Sequence, residues 1–153
     1  MRPKFEGISH LVVWGNFPCN LKVTFPDVQH LFIFNSRITK GFISEEFNFL
    51  RNLKSLELYE CGNAMPLLSQ LNKCCPTLEK LSLSAMPITK IPKNIFYLKN
   101  LEEVNLYFLD INLLNPQILN LKSLKKITIQ EMPISNIDTI IRICKEKHII
   151  LLE

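Results

Sequence analysis

Ile88-x-x-Ile91-Pro92-x-x-Ile95-x-x-Leu98-x-x-Leu101-x-x-Val104-x-Leu106 places an apolar residue at every third or fourth position and closes on two that stand two apart. Residues two apart share one face of a strand, so the closing pair points inward while its neighbours point out. The order returns in Ile111, Leu114, Ile118, Leu121, Leu124, Ile127 and Ile129, and again in Ile134, Ile137, Ile141, Cys144, Ile150 and Leu152. Working outward, six segments share the strand part of the pattern: Ile8-x-x-Leu11-x-Val13, Val28-x-x-Leu31-x-Ile33, Leu53-x-x-Leu56-x-Leu58, Leu78-x-x-Leu81-x-Leu83, Leu101-x-x-Val104-x-Leu106 and Leu124-x-x-Ile127-x-Ile129. Their middle positions step by 20, 25, 25, 23 and 23 residues, and a further step of 23 reaches Ile150, which predicts a truncated seventh strand near 148–152 with Ile150 and Leu152 inward.

These residues resemble the leucine-rich repeats (LRR), whose period is about 20 to 29 residues with one strand per repeat. The resemblance runs over nearly the whole chain and implies an α/β fold: a right-handed curved stack with a parallel sheet on its concave face and short helices, 3₁₀ turns and loops on the convex face. It implies a single LRR domain over 1–153, of about six repeats plus the truncated strand. A unit of this length has no partner for its own apolar row, so stability must come from stacking on its neighbours, each fully buried Leu or Ile contributing roughly 1.5–3 kcal/mol. The position that usually carries a ladder-forming Asn holds Asn16 and Cys61 in two copies but Ser36, Met86, Leu109 and Met132 in the others. The turns after those strands must therefore satisfy their backbone groups in another way.

The connections predict distinct elements. Ser44-Glu45-Glu46 ahead of Phe47, Phe49, Leu50 and Leu53 predicts a helix near 45–52. Pro66 opens a second, through Leu67, Leu68 and Leu71 to about Cys74, and Ser135 is placed to cap a third with Ile137, Ile140, Ile141 and Cys144 on one face. Pro92 and Pro116 suit shorter 3₁₀ or extended turns.

The 153 residues are 47% hydrophobic and 21% charged, the composition of a packed globule, and no apolar run reaches the ~18 residues of a membrane span. The net charge of +4 divides evenly, with 8 basic and 6 acidic residues over 1–76 and 10 and 8 over 77–153. Lysines scattered among glutamates make no phosphate-tracking stripe, which argues against nucleic acid as a partner. The opening Met1-Arg2-Pro3-Lys4-Phe5-Glu6-Gly7 carries no secretory signal, and Cys19, Cys61, Cys74, Cys75 and Cys144 are odd in number with no Cys-x-x-Cys spacing. A cytoplasmic protein with reduced thiols is expected. Both ends lack a polar capping element, so the chain reads either as a piece of a longer array or as one whose ends pair with another molecule; monomer and end-on homo-oligomer both stand.

In the family that the chain resembles, outward strand residues contact a protein partner. Carried over by position, one outward column reads Trp14, Phe34, Tyr59, Ser84, Tyr107 and Gln130, four of the six aromatic, with Phe32, Glu57 and Asn105 beside it. Aromatic side chains are enriched at binding hot spots, so Trp14, Phe32, Phe34, Tyr59, Tyr107, Glu57 and Asn105 form the candidate recognition set. Seven strands at ~4.8 Å and three or four outward residues each offer only ~400 Å², against ~800 Å² per partner in a standard interface, which predicts weak binding by this face alone. His10 and His30 fall in equivalent columns but lack a third ligand, and no motif for a phosphate loop, a nucleophile elbow or a zinc-bound His-Glu-x-x-His occurs. No metal, no cofactor and no catalysis are expected. The Pro92 repeat and Cys74-Cys75-Pro76-x-Leu78-Glu79-x-Leu81 resemble the intracellular receptor and substrate-adaptor branches of the family, which sense ligands, restrain switch domains or select substrates for ubiquitin ligases.

Overall fold

The computed structural model describes residues 6–15, 27–38 and 50–153. Seven strands appear in them: β1 His10–Trp14, β2 His30–Phe34, β3 Ser55–Tyr59, β4 Lys80–Ser84, β5 Glu103–Tyr107, β6 Lys126–Gln130 and β7 Ile150–Leu152. They form one sheet in the order β1 to β7, each paired in parallel with the next in the chain. A parallel neighbour requires the chain to return to its starting edge between strands, and the described connections from β3 onward do so across one face of the sheet. The result is an α/β architecture compatible with a solenoid-like stack.

The register follows the sequence period. Leu11, Leu31, Leu56, Leu81, Val104 and Ile127 stand side by side, as do Val13, Ile33, Leu58, Leu83, Leu106 and Ile129. From β2 to β6 every member of both rows is buried, and they join Leu67, Leu71, Ile95, Ile118 and Ile140 from the connections in one core cluster. Leu11 and Val13 in β1 are only partly covered, as an outermost row must be.

The turns replace the missing Asn ladder with backbone geometry. The residue after each of the first six strands, namely Gly15, Asn35, Glu60, Ala85, Phe108 and Glu131, has φ between 46° and 78°. This left-handed conformation swings the chain off the strand at once. It also leaves the turn N–H aimed at the last carbonyl of the next strand: Asn35 donates to Tyr59, Glu60 to Ser84, Ala85 to Tyr107 and Phe108 to Gln130 at 2.9–3.1 Å. Ser36 Oγ and Cys61 Sγ add donations to Phe34 O and Ile33 O, whereas Met86 and Leu109 at the equivalent place are simply buried. A side-chain ladder exists at the other end of the strands, three residues ahead of each. Thr77 donates to Arg51 O and Leu53 O, Asn100 to Pro76 O and Ser123 to Lys99 O, each reaching back one coil.

On the connecting side, the helix expected from Pro66 to Cys74 is two four-residue helices, α1 Met65–Leu68 and α2 Leu71–Cys74. Ser69 Oγ donates back to Met65 O, and Gln70 leaves helical geometry at φ −125°, ψ 2°, which divides them. Lys93–Tyr97 and Pro116–Asn120 are 3₁₀ turns, the first entered from extended Pro92 and the second begun by Pro116 itself. α3 spans Ile137–Lys147 and buries Ile140 and Cys144, but Ser135 does not cap it. Ser135 Oγ donates instead to Asn112 O, and the cap position belongs to Asn136, whose amide is spent on the backbone N–H and carbonyl of Leu114. Most of the helix expected over 45–52, and Asn16 and Cys19, lie outside the described residues.

The last strand corrects the period by one residue. Ile127 pairs with Leu151, not Ile150, so Leu151 takes the inward place while Ile150 and Leu152 are 58% and 44% exposed on the other face. The cause is the exit from α3, where His148 turns left-handed at φ 56° and the N–H of Ile149 donates to Cys144 O, burying Ile149 under the helix end. A slip of one residue exchanges the two faces of a strand.

Ala85, at φ 51°, has a conformation that glycine adopts without penalty. Ala85→Gly is therefore expected to raise the unfolding free energy by about 0.5–1 kcal/mol and Ala85→Val to lower it, as measured by urea denaturation.

Candidate functional site

The face of the sheet opposite the connections carries the outward residues of all seven strands. Pairing in register sets Trp14, Phe34, Tyr59, Ser84, Tyr107 and Gln130 in one row, as the sequence period predicts. The first three form a run of touching rings. Trp14 meets Phe34 edge-on with centroids 5.5 Å apart, and Phe34 meets Tyr59 at 5.1 Å with a 31° tilt. Phe32 lies 6.2 Å from Phe34 along the same strand. Each such pair contributes about 0.5–1.5 kcal/mol beyond its buried area. The rings do not cover one another fully, for Trp14 remains 75% exposed and Val12 67%. Tyr107 stands apart from this run, because Ser84 between it and Tyr59 is too short to bridge the gap.

Asn105 departs from its expected role. It lies on the predicted face but is only 3% exposed, and its amide nitrogen donates to Glu103 Oε1 at 2.7 Å and Ser82 Oγ at 3.1 Å. Ser82, Asn105 and Thr128 are consecutive in their row and all three are buried, with Glu103 reaching over to Asn105 from two residues away. A short polar side chain in the middle of this face is thereby sealed rather than displayed. Glu57, in the same row nearer β1, stays half-buried and forms an ion pair with Lys80 at 3.3 Å.

The charges along one border of the face pair across strands. Lys54 meets Glu79 at 3.9 Å, Lys126 meets Glu103 at 3.6 Å and Lys125 meets Glu102 at 2.8 Å. Exposed pairs of this kind contribute about 0.2–1 kcal/mol each, so their main effect is to cancel the local positive charge. Glu103 is the best held: donation from Asn105, aided by Lys126 and Lys80, pulls its carboxyl below the ordinary value.

His10 and His30 face each other as a stack, with centroids 4.3 Å apart and planes 16° from parallel. Among the described residues, no group of three His, Cys, Asp or Glu side chains converges as a metal site would require. Burial pushes the thiols of Cys61, Cys74, Cys75 and Cys144 above the ordinary cysteine value, which disfavours the nucleophilic thiolate. Beside the histidine stack lies a groove of about 510 Å³, lined by His10, Val12, His30 and Phe32 on one side and by Ser55, Glu57 and Lys80 on the other. The sequence pattern marks the two histidines as equivalent but not the groove, whose floor depends on Ser55 being the third member of their row.

Neither protein-family models nor curated proteins yield a match to the chain. Among the described residues no helix is long and apolar enough to cross a membrane.

The bond from Asn105 favours only the ionised form of Glu103. Because Glu103's folded pKa lies below its unfolded value of about 4.3, this stabilisation is complete above that value and disappears as pH falls through the folded pKa. Asn105→Ala is expected to cost about 1 kcal/mol near neutral pH, with the difference from the parent narrowing in acid. Urea unfolding of both proteins across pH measures it; a gap independent of pH would separate Asn105 from Glu103.

Proposed function

We propose that the chain is a leucine-rich repeat module that binds a protein partner through its open, concave sheet face and performs no catalysis. The observation carrying this reading is the ring run Trp14, Phe34 and Tyr59 with Phe32 alongside, in which Trp14 and Phe32 are exposed and Phe34 and Tyr59 are half-buried. Large aromatic side chains on a rigid strand supply contact area at little entropic cost, which is what an anchor for another protein needs. Thiols that desolvation holds above the ordinary cysteine value fit a binding role, and a cytoplasmic setting fits the free cysteines among the described residues. Tyr107 and Glu57 belong to the outer part of the contact, and Asn105 acts by holding the sheet face rather than by touching the partner.

Affinity capture with quantitative mass spectrometry tests this reading. A partner retained by the parent protein is expected to be lost with Trp14→Ser combined with Tyr59→Ser and kept with Lys125→Ala; equal recovery by all three removes the aromatic row from recognition.

A second reading has its own support. Ile150 and Leu152 are exposed on β7, whose outer edge has no strand partner among the described residues. Unpaired strand edges template further pairing, so end-on self-association is the alternative. In light scattering over a dilution series, self-association gives a mass that rises with concentration and falls back with Ile150→Lys. A constant monomer mass excludes it.

A further inference from the structure

We propose that the groove beside the stacked histidines is a guanidinium site, where an arginine side chain of the partner docks. This rests on the reading of the open face as the recognition surface and specifies the chemistry that the face takes. The imidazoles of His10 and His30 stack 4.3 Å apart, nearly the strand spacing of about 4.8 Å. The next position in their row is Ser55, which is too short to continue the stack, is only 8% exposed, and lies with half-buried His30 in the lining of the groove. Across that space stand Glu57 and Lys80, joined by a single 3.3 Å contact with side chains 42% and 38% exposed. Glu79 and Lys54, 3.9 Å apart, also line the groove.

The acidic and basic groups here are equal in number, and the rings decide between them. The π faces of aromatic rings carry negative potential, so the Phe32 side of the groove attracts a cation and repels an anion. A guanidinium is planar, takes the third place in the stack, and presents two parallel N–H donors that match the Glu57 carboxylate. The resident Lys80 offers a weaker, half-exposed contact and can turn its long stem to water, freeing Glu57. An ammonium has the charge but lacks the plane and the fork.

N-acetylarginine amide, N-acetyllysine amide and inorganic phosphate are titrated separately into the isotope-labelled chain. NMR shifts are followed at His30, Phe32, Ser55 and Glu57. The arginine probe is expected to move these signals with millimolar affinity and the lysine probe to bind about threefold or more weakly. Glu57→Gln is expected to weaken the arginine probe by about threefold to tenfold, while Lys80→Ala strengthens it by removing the competing cation. Lys125→Ala, outside the groove, changes neither. Absence of shifts with the arginine probe at about 50 mM overturns the assignment. So does preferential binding of phosphate, with the effects of the Glu57 and Lys80 variants reversed. If the arginine probe fails while the Trp14 and Tyr59 variant still loses its partner, the groove assignment falls and the recognition surface stands.

Discussion

The structure depends on side-by-side contact between aliphatic residues of successive coils. Leu56, Leu81, Val104 and Ile127 touch across strands at the parallel-sheet spacing, and none is more than 1% exposed. No coil holds enough apolar surface to enclose its own row, so each is stable only as a neighbour of the next. That single requirement sets the parallel direction, the consecutive strand order and the placing of the described connections from β3 onward on one face. It also reserves the opposite face, whose residues contribute little to the core and are free to vary in chemistry from strand to strand.

That freedom is used unevenly. Toward β1 the open face is aromatic, from Trp14 through Phe34 to Tyr59, with the histidine stack beside it. Toward β6 it is polar and closed, with Asn105 tied to Ser82 and Glu103 and the border lysines matched to glutamates. The difference is physical as well as compositional. Trp14 and Phe32 in the aromatic run stay exposed to solvent, whereas Ser82, Asn105 and Thr128 are short and buried, with Glu103 bonded over Asn105. The aromatic end therefore offers contact area and the polar end offers charge cancellation, which is why the ring run of the proposed recognition surface and the proposed arginine groove both lie over β1 to β4.

The sequence made the strands legible because their signal is an apolar alternation repeated at nearly constant spacing, and the register from β1 to β6 follows from it without correction. Less legible were the turns. Nothing in the residue types Glu60, Ala85, Phe108 and Glu131 announces a left-handed conformation, which in Glu60, Ala85 and Phe108 aims the N–H at the last carbonyl of the neighbouring strand. The polar ladder of Thr77, Asn100 and Ser123 carried a signal, since the three are 23 residues apart, but their chemical variety concealed it beside the expected Asn positions after the strands. Ser135 and Asn136 illustrate the same competition: both have capping chemistry, and both are drawn to carbonyls of the preceding coil.

Of the candidate site, the row from Trp14 to Gln130 was determined by the sequence, because a strict alternation within each strand and the same apolar pattern in every strand align equivalent positions as neighbours. Whether a member of the face is displayed or sealed was decided only by the tertiary structure. Asn105 is closed off by what stands two residues away and one strand over, and Ile150 is exposed because the left-handed exit from α3 shifts β7 by one residue. Facing is a local property of a strand and can be read from its period; exposure is set by the heights of surrounding side chains, which only the assembled sheet brings together.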